Sequence, residues 1–321
     1  VDYFGGIKDL SLQTIRAVGE PQKRFEEDAL RIMRALRFSA VLGFEIEKST
    51  SEAAFRLKDK LKNIAAERLS QELIKLITGD NCYSVLMEYA EILGAFIPEI
   101  LPCINFDQHN KYHKYSVWEH IVVAVAVSKK DRIIRLAMLF HDISKPSCFT
   151  IDEKGQGHFK THEKLSAVKA EEILKRLRFD SDTIKRVCLL IELHYFVPQT
   201  DERGNPSEKQ IRRLLSKTGE EAFFQLVDVQ RADNSAKQGF CMDRMAVLDK
   251  MEEKAKEIIE KGKCFSLKNL AINGNDLIKA GLNGKQIGTA LNFVLNKVID
   301  GEVQNDSDVL IQCLFDNNFI N

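Results

Sequence analysis

Apolar residues recur at three- and four-residue spacing along almost the whole chain, a period that predicts one helix after another. Residues 22–43, QKRFEEDALRIMRALRFSAVLG, read as one helix stopped at Gly43. Further helices are predicted near 50–62 and 66–78, with a helical pair over 81–98. The pattern then continues near 116–127, 131–141, 161–177, 181–195, 207–215, 219–237 and 242–260. Two stretches interrupt it. INFDQHNKYHKY, around 104–115, is polar and aromatic and reads as a connector, while FTIDEKGQGHFK, 149–160, is too rich in glycine for a helix interior and reads as a loop. From about 263 the pattern becomes helix, Gly-rich turn, helix, which suggests a small final domain. With six prolines in 321 residues, the expected fold class is all-α.

Composition narrows the picture. A chain of 321 residues can bury a substantial core in two or three domains. Its 47 basic and 47 acidic side chains cancel, so no global field draws it onto nucleic acid, although local basic faces could. Seven cysteines (Cys82, Cys103, Cys148, Cys188, Cys241, Cys264, Cys313) are scattered without a CxxC, which favours a reducing, cytoplasmic setting. No apolar run approaches membrane-spanning length, and no signal peptide is visible. No membrane partner is expected, and the pattern leaves the oligomeric state open. The opening VDYFGG has no initiator Met and suggests a fragment.

Candidate chemistry concentrates in histidine and aspartate. His120 lies in YSVWEHIVVAVAV, His141-Asp142 closes IIRLAMLF, and Asp233 lies in FFQLVDVQRADNSAK. Imidazole and carboxylate suit divalent ions, and these residues are too far apart in sequence for a zinc finger. A single histidine in a helical protein is commonly a hydrogen-bonded, partly buried ring, and an HD pair recurs by chance. The company strengthens the metal reading: all seven histidines, His113 among them, fall between 109 and 194. One divalent ion (Mg, Mn, Ni or Zn) is therefore expected on His120, His141, Asp142 and Asp233, with positions left for water and a phosphate oxygen. His162 and His194 could recruit a second ion through a bridging carboxylate, or donate to a bound phosphate. Lys145, four residues after His141, could face the same pocket; otherwise it is a solvated lysine before Pro146. His141, Asp142, Lys145, His162 and His194 form the candidate catalytic group. The pattern H…HD…D with HDxxKP resembles the HD-domain phosphohydrolase superfamily over about residues 113–240. That resemblance implies a helical domain, a divalent metal and cleavage of phosphomonoesters or phosphodiesters.

The amino-terminal third has its own motif, RFEEDALRIMRALRFSA. Asp28 and Arg31 are spaced to face one way, and Arg34 and Arg37 continue the row. The plain reading is an amphipathic helix with internal salt bridges. Alternatively, the carboxylate accepts from a base amino group while the guanidinium donates along the same base edge. Arg24, Arg34 and Arg37 would then be available to phosphate.

DYFGGIKDL at 2–10, EDALRIMRALRF at 27–38, ERLSQELIKLI at 67–77 and the tail LAINGNDLIKAGLNGKQIGTALNFVLNKVIDGEVQND resemble successive motifs of a known family. It is the bacterial-type (class II) tRNA nucleotidyltransferase and poly(A) polymerase family, in its HD-containing branch. The resemblance implies that Asp2, Gly5, Gly6 and Asp9 link head to neck, that Asp28 and Arg31 form a template selecting CTP and then ATP, and that Arg34 and Arg37 hold the nucleotide or the bundle around it. Glu67-Arg68 would stabilise the template helix. The paired carboxylates that hold catalytic metals in the family are absent here, so the chain is expected to lack the catalytic head and to be inactive in nucleotide addition.

The expected architecture follows: all-α, with a head remnant at 1–12, neck helices at 13–80, connecting helices at 81–112, an HD domain at 113–260 and a helical tail at 261–321. The expected function is a fragment of a CCA-adding enzyme, whose full-length parent uses CTP, ATP and the tRNA acceptor end. To it is joined an HD hydrolase acting as a 2′,3′-cyclic phosphodiesterase or phosphatase. The alternatives are a poly(A) or A-adding polymerase fragment, or an RNA-binding module with a non-catalytic metal site.

Overall fold

A computed structural model describes residues 2–109, 115–237, 243–261 and 265–320. His113, Cys241 and Cys264 lie outside the described residues. The chain divides into two compact units, Val1–Tyr195 with Asp228–Met242, and Phe196–Val227 with Asp243–Asn321.

In the first unit, the predicted helix over 22–43 is two helices, Pro21–Glu27 and Leu30–Leu42. The break falls at Asp28, whose backbone is extended (φ −151°, ψ 103°) and whose Oδ1 accepts from Leu30 N at 3.0 Å. A short carboxylate that bonds the backbone two residues on competes with the helical ladder, which periodicity alone does not register. The Leu30–Leu42 helix buries Leu30, Ile32, Met33 and Leu36 and packs on Ala66–Ile77, which buries Leu69, Leu73, Leu76 and Ile77. The chain leaves Ala66–Ile77 close under its neighbour: a Cβ on Gly79 would lie 2.6 Å from the carbonyl oxygen of Ala40, so only glycine fits.

Two small β pairs modify the all-α expectation. Thr14–Ile15 runs parallel to Glu45–Ile46, and the segment expected as a loop contains a hairpin of Thr150–Ile151 and Gly157–His158. The expected head remnant carries a short helix, Gly6–Ser11, opened by Asp2, whose carboxylate accepts from Gly6 N and Ile7 N at 2.9 Å each. The predicted 50–62 helix is Lys48–Leu57 followed by a 3-10 segment, Lys58–Asn63.

The remainder of this unit is built on Val117–Val127, Arg132–Phe140, His162–Arg176 and Ser181–Leu193. Arg132–Phe140 is central, packing on the other three and on Ala66–Ile77. Its Arg135 is buried, and its guanidinium is held by the carbonyl oxygens of Ile77 (2.5 Å), Ser128 (2.9 Å), Ala126 (3.3 Å) and Lys129 (3.3 Å). One cation thus satisfies carbonyls at the ends of two other helices, where intrahelical partners run out.

The second unit contains Glu208–Thr218, Asp243–Glu260 and the tail helices Gly274–Lys279, Lys285–Ile299 and Ser307–Asp316. The tail has a core of its own, including Leu277, Val294, Val298, Leu310 and Leu314. Asp300, just past Lys285–Ile299, is 3.3 Å from Lys209 and 2.7 Å from Arg213, which ties the tail to Glu208–Thr218. No described helix is long and apolar enough to cross a membrane.

Two substitutions test these contacts. Arg135→Met leaves several buried carbonyls unpaired and is expected to lower stability by about 3 kcal/mol, read from the urea midpoint at constant slope. Glu47 caps Lys48–Leu57: its carboxylate accepts from Ser49 Oγ at 2.7 Å and Thr50 N at 2.9 Å, and these hydrogen bonds lower its pKa from 4.5 to about 2. Because the folded-state pKa is depressed, this contribution is present above about 4.5 and fades as pH falls towards 2. Glu47→Ala is therefore expected to cost about 1 kcal/mol at neutral pH. Its thermal melting curve should converge on that of the parent as the solution is acidified across that window.

Candidate metal centre and nucleotide face

Four elements of the first unit and the helix Glu220–Ser235 deliver the His/Asp cluster. His120 lies within Val117–Val127, opened by Ser116, whose Oγ accepts from Glu119 N. Asp131 caps Arg132–Phe140 by accepting from Ile133 N and Ile134 N, and the apolar run that follows ends with His141 and Asp142 at its C-terminus. Asp233 comes from Glu220–Ser235, in the part of that helix that belongs to the first unit. His162 starts His162–Arg176, and His194 ends Ser181–Leu193. All six side chains are buried.

The donor atoms converge. His120 Nε2 is 3.2 Å from His141 Nε2, 3.4 Å from Asp142 Oδ2 and 3.1 Å from Asp233 Oδ1. His141 Nε2 is 3.3 Å from Asp142 Oδ2 and 3.6 Å from Asp233 Oδ1. Ion–ligand bonds of about 2.0–2.2 Å place neighbouring donors roughly 3.0–3.5 Å apart, so these separations fit one coordination shell. On the other side of Asp142, Oδ1 lies 3.3 Å from His162 Nε2 and 3.9 Å from His194 Nε2. Asp142 is thus shared by two sets, His120–His141–Asp142 and Asp142–His162–His194.

The outer nitrogens of the rings are anchored on backbone. The Nδ1 atoms of His141, His162 and His194 lie 2.7, 2.7 and 2.6 Å from the carbonyls of Met138, Phe159 and Ile191, and His120 Nδ1 is 3.3 Å from Ala236 O. Donation from Nδ1 to carbonyl fixes the tautomer in which Nε2 carries the ligating lone pair. Neither carboxylate oxygen of Asp142 makes a hydrogen bond of good geometry, although Lys145 Nζ approaches Oδ2 at 2.7 Å. Buried, inward-pointing donors with unused lone pairs fit an ion, and the cluster is a divalent-metal site.

Electrostatics agree with that donor set. Burial opposes ionising Asp142 and Asp233, but His141 and Lys145 around the first, and Lys237 and His120 around the second, hold both carboxyls well below the usual range. Burial also opposes charging His141, yet the two aspartates outweigh it and raise its pKa to about 9. Burial, with His141 nearby, depresses His194 to about 3, and burial lowers His120. A divalent ion would displace the proton carried by His141.

Lys145, expected a helical turn beyond His141, instead begins a 3-10 turn, Lys145–Cys148, and is buried rather than solvated. Two contributors were not singled out from sequence: Lys237, which pairs with Asp233, and Gln108, which accepts from Lys145 Nζ at 2.8 Å. The first had a usable signal, a lysine four residues after the aspartate within the stretch predicted as one helix, 219–237, although the helix itself ends at Ser235. The second had none.

The nucleotide-face candidates lie on the break between Pro21–Glu27 and Leu30–Leu42. Asp28 Oδ2 is 3.0 Å from Arg68 Nη2, while Arg31 Nη1 donates to Glu27 Oε2 (2.6 Å) and to Arg24 O (2.8 Å). Asp28 and Arg31 are both partly exposed but do not pair with one another here. Burial works against ionising Asp28, yet the Leu30 amide and Arg68 hold its carboxyl below the usual value. Arg34 is exposed. Arg37 turns inward to Glu72 at 2.6 Å and stacks 3.8 Å from the Phe38 ring, so it braces the two packed helices.

Comparison with known proteins gives consistent relatives. Residues 157–314 match the family described as "tRNA nucleotidyltransferase domain 2 putative", and residues 43–103 match "Probable RNA and SrmB- binding site of polymerase A". A CCA-adding enzyme of Ligilactobacillus salivarius is 28% identical over 320 residues, 97% of this chain and 65% of that enzyme. One from Leuconostoc mesenteroides is 38% identical over 141 residues, 41% of this chain and 35% of that enzyme. Among solved structures, the Bacillus stearothermophilus CCA-adding enzyme in complex with CTP matches the fold with a TM-score of 0.67 at 23% identity, covering 99% of this chain and 69% of that one. The chain therefore spans about two thirds of the length of the longer-matching relatives.

These matches correct several expectations. The assignment to the HD-containing branch gives way to a fold that follows one CCA-adding enzyme over 99% of this chain and 69% of that one. The expected architecture of head remnant plus separate HD domain is replaced in the same way, since tRNA nucleotidyltransferase domain 2 is matched from residue 157, inside the stretch assigned to the HD domain. The hydrolase activity, and the expectation that nucleotide addition belongs only to a longer parent, are withdrawn, because the relatives over 97% of the chain are named for CCA addition. The reason is chemical: a shared set of metal donors states what an ion can bind, not which reaction is run.

Removing the shared carboxylate tests the centre. Parent protein is expected to gain thermal stability on adding Mn²⁺ or Ni²⁺, by about 2.7 kcal/mol at a hundredfold excess over Kd. Asp142→Ala, which deletes donors from both sets, should abolish that gain and retain no metal by mass spectrometry.

Proposed function

We propose that this chain acts in CCA addition as a tRNA nucleotidyltransferase, using CTP and ATP and engaging the acceptor end of tRNA. The observation that carries this reading is the similarity to CCA-adding enzymes along 97% of the chain. The local chemistry is compatible. Asp28 presents a carboxylate acceptor, and Arg31, three residues on, presents guanidinium donors, the complement needed for the amino group and ring acceptors of cytosine or adenine. In the arrangement described above, both are occupied, Asp28 by Arg68 and Arg31 by Glu27, so selecting a base exchanges those partly exposed contacts for contacts to the nucleotide. Arg34, exposed on the helix that carries Arg31, would be available to phosphate, whereas Arg37 braces the bundle. Residues 13–80 form the template-bearing neck.

His120, His141, Asp142 and Asp233 hold one divalent ion, and Asp142, His162 and His194 offer a second position. When bound, such an ion supplies fixed positive charge for a phosphate oxygen. Lys145 sets the charge on the bridging carboxylate. Cys82, Cys103, Cys148, Cys188 and Cys313 are free thiols, which supports a reducing, cytoplasmic location.

The reading is tested by titrating CTP and ATP into the protein, footprinting tRNA that ends before the CCA sequence, and following label from both nucleotides into that tRNA with the whole protein. Binding of both nucleotides and protection of the acceptor end are expected. Asp28→Ala should weaken both nucleotides at least about tenfold while leaving the tRNA footprint in place. No nucleotide binding and no acceptor protection would overturn the reading.

A further inference from the structure

The structure assigns Gln108 as a positioning residue of the metal centre, acting through the Lys145 ammonium. This rests on the metal reading of the His/Asp cluster. Gln108 is 1% exposed although it lies in the polar connector before Val117–Val127. Both ends of its amide are engaged: Nε2 donates to Tyr115 O at 3.1 Å, and Oε1 accepts from Lys145 Nζ at 2.8 Å. The segment is clamped from the other side by Gly157, whose N donates to His109 O at 2.7 Å. A Cβ at that glycine would lie 2.2 Å from Gln108 O. Gln108 is therefore held where it stands.

Lys145 in turn has few directions left. It is 4% exposed, its Nζ lies 2.7 Å from Asp142 Oδ2, and the Phe159 ring centre is 5.2 Å away. Gln108 supplies a neutral acceptor that shares the ammonium with Asp142. Asp142 is the carboxylate common to both donor sets, and Oδ2 is the atom facing His120 and His141. An ammonium resting wholly on Oδ2 competes with an ion for that oxygen's electron density. An ammonium shared with a second acceptor competes less. Gln108 thereby tunes how strongly Asp142 can bind a divalent ion. Residues that orient metal ligands in this indirect way typically change affinity about 10–100-fold when removed.

The two obvious replacements pull in opposite directions. Gln108→Leu returns Lys145 to Asp142, so affinity for Mn²⁺ should fall roughly tenfold or more. Gln108→Glu draws the ammonium towards a new carboxylate, so affinity should rise above that of the parent. Calorimetric titration of each folded protein with Mn²⁺ alone reads this directly, and circular dichroism at the titration temperature establishes the folded fraction. In a Lys145→Met background, Gln108→Leu should no longer change the affinity, because the effect passes through the ammonium. Should Gln108→Leu fail to fold, the Gln108→Glu titration and its loss of effect in the Lys145→Met background decide the matter. Parent protein that binds no Mn²⁺ overturns the metal reading itself. Parent binding with equal affinities in the Gln108 variants, or equal losses in both, overturns the role of Gln108 alone.

Discussion

One buried carboxylate, Asp142, organises the amino-terminal unit. It is 1% exposed, with His120 and His141 on one oxygen, His162 and His194 towards the other, and Lys145 against it. Taking an isolated charge out of water is costly, and an arrangement like this persists only when opposite charge and ligating groups surround it. The need to bring these groups together determines where helices end. His141-Asp142 and His194 sit at C-termini, His162 at an N-terminus, and each anchored ring bonds a carbonyl of its own neighbourhood. The helices are thus arranged around polar groups as well as around an apolar core.

A second set of charges lies among the helices between residues 21 and 77. Arg68 to Asp28 and Arg37 to Glu72 join Ala66–Ile77 to the broken helix that precedes it, one pair towards solvent and one turned inward. The inward pair holds the packing. The outer pair is cheap to exchange because water competes with it, as the proposed nucleotide face would require.

Much of this was legible from residue order. Long helices such as Ala66–Ile77 and Val117–Val127 follow their apolar spacing, because burying one stripe of side chains dominates local choice. The resemblance to tRNA nucleotidyltransferases agrees with the similarity to CCA-adding enzymes, whereas the assignment to the HD-containing branch does not. Misreading arose where a local signal had two meanings. Asp28 reads as the interior of one continuous helix but breaks it, and HD chemistry suggests a hydrolase branch that the similarity along 97% of the chain does not support.

The sequence by itself determined the helical period, the donor types and the charged motif at 27–38, since these depend only on neighbours along the chain. Tertiary structure alone decided how closely the expected donors approach one another, that Asp142 stands between two sets of them, that Gln108 reaches Lys145, and that Arg135 gathers carbonyls from two other helices. Those contacts join residues far apart in the chain, and their energies depend on burial and on distances of a few ångströms. No spacing rule along the backbone carries that information.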